Sequence, residues 1–118
     1  MGKIDLAVAK EMVNNYAETR KRLIDQAYGI DDTKSIWFSI EEVQNFVKSL
    51  SPDATGVRIY LGVYNDDDPK TPDHTTIIAI ETINNESGSD VDPVGQQKLM
   101  EGGGQDPYNQ GKICPPYC

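Results

Sequence analysis

Cys114 and Cys118 are the chain's only cysteines and close it as Cys-Pro-Pro-Tyr-Cys. Two thiols so placed could bridge, ligate a metal, exchange electrons or offer a handle to a modifying enzyme. Four extended polyproline steps of about 3.1 Å would separate the two Cα atoms by roughly 12 Å. A disulfide needs them about 5.5 Å apart. A bridge inside the motif therefore requires a turn, which a cis X-Pro bond supplies cheaply. Shared ligation of one metal ion meets the same difficulty. Thioredoxin-like redox motifs place two residues between the cysteines, at a helix N-terminus that lowers a thiol pKa. Here three residues intervene, no helix follows, and Cys118 carries the chain's own carboxylate, which favours thiol over thiolate. Catalytic exchange is poorly supported. The leading use of Cys114, Pro115, Pro116, Tyr117 and Cys118 is structural, capping the domain or crosslinking subunits. Presentation to a partner or modifying enzyme comes next, then metal ligation completed from elsewhere.

Other chemical candidates are weaker. His74 is the single histidine, so a zinc site would need it or carboxylates to reach four ligands. A lone histidine before a strand reads as polar surface. "EGGGQDPYNQGK" fails as a phosphate loop: its glycines are too far apart and no Ser or Thr follows Lys112. "NDDDP" lacks the alternating acids and closing Glu of a calcium loop, so it reads as a solvated hairpin loop, and "SDVDP" reads the same way. Arg58, Tyr60 and Tyr64 share one strand face beside Gly62, whose missing side chain admits close approach. Tyr and Arg are favoured interface anchors. The plainer reading, which we prefer, is an ordinary sheet face with Arg58 paired to Glu81 across a hairpin.

These residues must be positioned by a few short elements. Val8, Met12, Val13, Tyr16, Leu23, Ile24 and Ala27 recur at helical spacing, predicting a helix from Ile4 to about Tyr28 that stops at Gly29. "DDTK" makes a turn and "SIWF" a short strand, with Trp37 and Phe38 on opposite faces and at least one of them in the core. Ser39 and Glu42 have capping-box spacing, opening a second helix that runs to about Leu50 and buries Ile40, Val43, Phe46, Val47 and Leu50. "GVRIYLGVY" alternates as a strand, and "TTIIAIETI" follows it with isoleucines on both faces: Ile77 with Ile83, Ile78 with Ile80. Such a strand wants cover on both sides, from its own helices, its tail or another subunit.

The expected fold class is α+β: two helices packed on a small, mainly antiparallel three-stranded sheet, followed by a long irregular C-terminal tail. Residues 1–83 form the compact domain and residues 84–118 the Gly/Pro-rich tail. Taken alone, that tail cannot bury enough surface to offset its ordering entropy. It gains order by running back over the sheet, with Val91, Val94, Leu99, Met100 and Ile113 as anchors, or by resting on a partner.

At 118 residues the chain holds one small core, and its formal net charge of −8 disfavours nucleic acid and anionic membrane surfaces. Arg20-Lys21-Arg22 is the only basic cluster, placed where cations meet the negative end of a helix dipole. The N-terminus is neither a signal peptide nor a membrane span, and Leu6 stands where a myristoylation signal wants Ser or Thr. Cytoplasm is the expected location, where thiols are normally reduced.

The series Ile36-Trp37-Phe38, Gly56-Val57-Arg58-Ile59-Tyr60, Thr75-Thr76 and Asn109 to Cys118 resembles a family of small Bacteroidota proteins that has no assigned activity. The resemblance implies a cytosolic single domain whose loop after the long strand varies and whose terminal cysteines are not shared throughout. It carries over no cofactor and no catalytic residue.

The resulting expectation is a non-enzymatic protein–protein interaction or self-assembly module without cofactor. Its partner is a protein or a second copy, and Arg58, Tyr60, Tyr64, Ile78 and Ile80 are interface candidates. The rivals are a folded substrate that presents Cys-Pro-Pro-Tyr-Cys for modification, and a metal or thiol-redox protein.

Overall fold

Apolar residues three and four apart wind the N-terminal segment into α1, Leu6–Tyr16. The computed structural model describes residues 1–95 and 107–118. A five-residue π-helical turn, Ala17–Lys21, carries α1 directly into α2, Arg22–Tyr28, so the predicted first helix is one uninterrupted helical stretch. Gly29 ends it at φ 65°, a left-handed conformation in which a Cβ is strained. α3 spans Ile40–Ser49, and its start is the predicted capping box. The Ser39 hydroxyl accepts from the Glu42 amide at 3.1 Å, and the Glu42 carboxylate accepts from the Ser39 amide at 3.3 Å.

The strands are β1 (Ser35–Trp37), β2 (Gly56–Val63), β3 (Thr75–Asn84), β4 (Asp90–Val91) and β5 (Lys112–Cys114). The protein is α+β. Its strands, however, form two sheets: β1 pairs antiparallel with β5, while the three-stranded sheet has the order β2-β3-β4. The Ile36-Trp37 strand therefore does not join the large hairpin. Its hydrogen-bonding partner is the tail, with Ile36 opposite Ile113.

The chain divides into two compact units. One comprises Met1–Trp37, Val63–Thr76 and Lys112–Cys118; the other comprises Phe38–Gly62 and Ile77–Gly111. Tail residues enter both. In the first unit the turn after α2 is pinned by Asp32, whose buried carboxylate accepts from the Thr75 amide at 2.7 Å and hydroxyl at 2.6 Å. In the second unit Tyr108 forms a two-bond antiparallel bridge to Ala79, and the Asn109 amide group donates to the Ile77 carbonyl at 2.7 Å. Anchoring by the tail is thus real at Ile113 and Tyr108. Val91 is half-buried and Val94 exposed, whereas Leu99 and Met100 lie outside the described residues.

The core is smaller than the sequence pattern suggested. Among the described residues only Ile80, Ile113 and Cys114 are buried hydrophobics. Phe46 and Leu50 of the second helix are half-buried, but Ile40, Val43 and Val47, expected inside, are exposed. Helical periodicity marks the face that seeks cover; it does not supply the cover. Trp37 and Phe38 follow suit. Trp37 is exposed beneath the Lys112 ammonium at 5.0 Å, and Phe38 is half-buried, so neither is core.

Candidate functional site

β2 and β3 present two faces of opposite character. On one face Arg58 and Tyr60 turn inward upon Asp92, which follows β4 and has a side chain with 0% exposure. Arg58 Nη1 donates to Asp92 Oδ2 at 2.6 Å, and the Tyr60 hydroxyl lies 2.9 and 3.1 Å from the two oxygens. The amides of Val94 and Gly95 each donate to Oδ1 at 2.9 Å. Burial pushes the Asp92 carboxyl pKa up, but the Gly95 amide, the Tyr60 hydroxyl, Arg58 and the Val94 amide outweigh it and leave the pKa lowered. "SDVDP" is accordingly not a solvated loop. The expected Arg58–Glu81 pair is absent as well, for Glu81 accepts from the Ser51 amide at 2.8 Å. A carboxylate sequestered with four donors holds Arg58 more firmly than an acid on the opposite face could. Gly95 is part of this lock: a Cβ there would fall 2.6 Å from the Tyr60 hydroxyl.

The sequence-predicted interface residues therefore lie on a closed face. Arg58, Tyr60 and Tyr64 are half-buried, Thr76 donates to the Tyr64 hydroxyl at 3.4 Å, Ile78 is half-buried and Ile80 is 1% exposed. These groups spend their polar atoms within the chain.

The other face is open. Val57, Ile59 and Leu61 of β2 point to it, with Ile59 61% and Leu61 82% exposed. Within the second unit this face and α3 enclose an open cavity of about 400 Å³. Phe38, Val43 and Phe46 line its helical side; Val57, Ile59, Ile77 and Ala79 line its sheet side. Tyr108 closes one end, its ring edge-on to Phe46 at 4.8 Å. Glu42, Asn45 and Asn109 supply the polar margin. The signal for this groove was in the sequence, as the apolar faces of α3 and β2. Sequence alone could not show that the other described residues leave them exposed.

The first unit carries an ionic cluster built on one buried cation. Lys21, at the end of the π turn, is buried and paired with Asp25 at 2.7 Å and with Asp31. Burial works against its charge, yet the hydrogen bonds to Asp25 and Asp31 prevail and raise its pKa. That makes it a persistent ammonium and unsuited to act as a neutral nucleophile. Of the Arg-Lys-Arg run, then, the middle residue is a staple between the helix and the following turn. Burial, followed by the charge of Asp32, raises the Tyr16 pKa beside it. His74 Nδ1 lies 2.8 Å from the Pro72 carbonyl, and no cluster of three metal-ligating side chains occurs among the described residues.

In the tail, Cys114 and Cys118 are bridged to one another with Cα atoms 4.6 Å apart. The peptide bonds before Pro115 and Pro116 are both cis, which supplies the turn that the spacing demanded. Cys114 is buried at the end of β5; Pro116, Tyr117 and Cys118 are exposed. No family model matches this chain, and neither do the curated proteins or the solved structures.

Proposed function

We propose that this chain is a non-enzymatic protein–protein association module that pairs with copies of itself through the open face of β2 and α3. One observation carries the reading: an apolar groove lined by exposed Val43, Val57 and Ile59, on a chain whose described core is only three residues. An exposed apolar groove rimmed by polar side chains is the kind of surface through which proteins associate. Cys114 and Cys118 close the end of the β1–β5 pair, as free thiols in a reducing compartment and as a bridge on oxidation. The proposal retains a protein partner over nucleic acid, in keeping with the net charge of −8. No helix among the described residues is long and apolar enough to cross a membrane. Cytoplasm remains the proposed location, and the resemblance to small Bacteroidota proteins belongs to the same proposal.

Size-exclusion chromatography with light scattering, in reductant, tests it. The wild type is expected to exceed the monomer mass increasingly with concentration, and Ile59→Glu to remain monomeric. Burying one such side chain is worth about 1.5–3 kcal/mol, and a charge in its place adds a desolvation penalty. Ile59 is already exposed, so the variant should keep the wild-type circular dichroism. A wild type that is monomeric throughout overturns the reading.

One observation favours a second reading, a folded substrate for a modifying enzyme: the exposure of Pro116, Tyr117 and Cys118. Intact mass of the protein from its native host separates the two, since modification adds mass to the tail and association does not.

A further inference from the structure

The N-terminal helix poses the complementary problem to the groove. α1 has no buried residue, with Leu6 71% and Val13 58% exposed, one above the other at i and i+7 and flanked by exposed Met12. Those three side chains contain eleven heavy atoms. At ~30 Å³ per small group they occupy roughly 330 Å³, close to the groove's volume of about 400 Å³.

Charge agrees with volume. Residues 1–30 hold five cations and four acids, whereas the remaining 88 hold six and fifteen. Residues 1–30 thus carry a net +1 in an otherwise acidic chain, and α1 itself, with Lys10 and Glu11, is neutral, so self-repulsion between copies is weakest where one offers this segment to the other. Locally, Lys10 borders the Leu6–Val13 stripe and Glu42 stands at the margin of the groove. A copy that docks α1 this way meets an acid beside its lysine.

We infer that the occupant of the groove is α1 of a second copy, seated by Leu6, Met12 and Val13 with Lys10 facing Glu42. The inference rests on the association reading above and gives it a specific partner surface. The mode is an amphipathic helix in a hydrophobic groove. Because each chain owns one helix and one groove, two copies can exchange helices reciprocally and close the assembly as a two-fold dimer.

The experiment mixes equal amounts of ¹⁵N-labelled and unlabelled full-length protein and applies a zero-length carbodiimide crosslinker, followed by peptide mass spectrometry. Sedimentation of Val13→Glu and Lys10→Met accompanies it; both residues are exposed, so neither change disturbs a core. Lys10–Glu42 crosslinks with mixed isotopes are expected in equal share with unmixed ones. Val13→Glu should weaken self-association by at least about tenfold, and Lys10→Met by about threefold at low salt. Only unmixed crosslinks would place the helix on its own chain and overturn the inference. A wild-type dimer indifferent to Val13→Glu overturns it too, while leaving self-association intact. A native-mass spectrum showing an apolar small molecule bound to each chain has the same effect. A monomeric wild type defeats both readings at once.

Discussion

Asp92 is a buried hub of the second unit. It gathers Arg58, Tyr60 and two backbone amides onto one buried carboxylate, and so joins the segment after β4 to β2. Removing one partner of a buried, multiply bonded pair leaves the others unpaired, which costs about 3–5 kcal/mol when burial is complete. Arg58 is partly solvated, so Asp92→Asn should cost less, about 2–4 kcal/mol at neutral pH by urea unfolding. Its pH dependence follows from the lowered pKa. A carboxylate whose folded pKa is depressed contributes fully above its unfolded pKa and loses that contribution as pH falls through the folded value. Wild type and Asp92→Asn should therefore converge in stability as pH drops below about 4, and stay apart above it. A gap that does not close in acid would show that Asp92 contributes by shape alone. At this scale the sequence was half legible. Arg58 and Tyr60 read correctly as a shared face, but their partner lies more than thirty residues away in a motif that looked like solvated loop.

The elements themselves were the most legible part. Each is set by local physics: the helical stripe, the Gly29 stop, the capping box, the alternation of β2. Ser39→Ala removes one half of the capping box on an exposed helix end, and thermal or urea unfolding should register a loss of about 1 kcal/mol. An unchanged stability would mean that packing, not the cap, fixes the start of α3. What sequence could not reveal was which elements meet. β1 has three residues and no preference of its own for one strand over another. It took β5 because a non-local segment arrived there with Ile113 to bury against Ile36. Pairing of this kind depends on loop closure across most of the chain, which leaves no local signature.

At the scale of the molecule, the deciding fact is how much apolar surface remains uncovered. Three buried hydrophobics among the described residues are a slender core, and burial of a second copy's surface would enlarge it in the same way that a domain core grows. The thiols matter here too, because their state reports the compartment. If the protein resides in the cytoplasm, trapping thiols with an alkylating reagent in unbroken native-host cells should give an intact mass with both Cys114 and Cys118 alkylated. Aerated protein should show the bridge instead, lighter than the dithiol by two hydrogens. A bridged mass after trapping would move the protein to an oxidising compartment, and added mass on the tail would favour the substrate reading.

By itself the sequence determined the helices and β1 to β3, their caps and stops, the α+β class and the need of two apolar faces for shelter, because propensity, periodicity and capping act over a few residues; β4 and β5 lay in what read as irregular tail. Only the tertiary structure decided that Arg58 belongs to Asp92, that Ile36 lies opposite Ile113, and that among the described residues one sheet face turns inward while the other stays open. Those outcomes depend on contacts between segments far apart in the chain. A pattern of residue types can state that a surface must be covered, but only the folded chain shows which surface still waits.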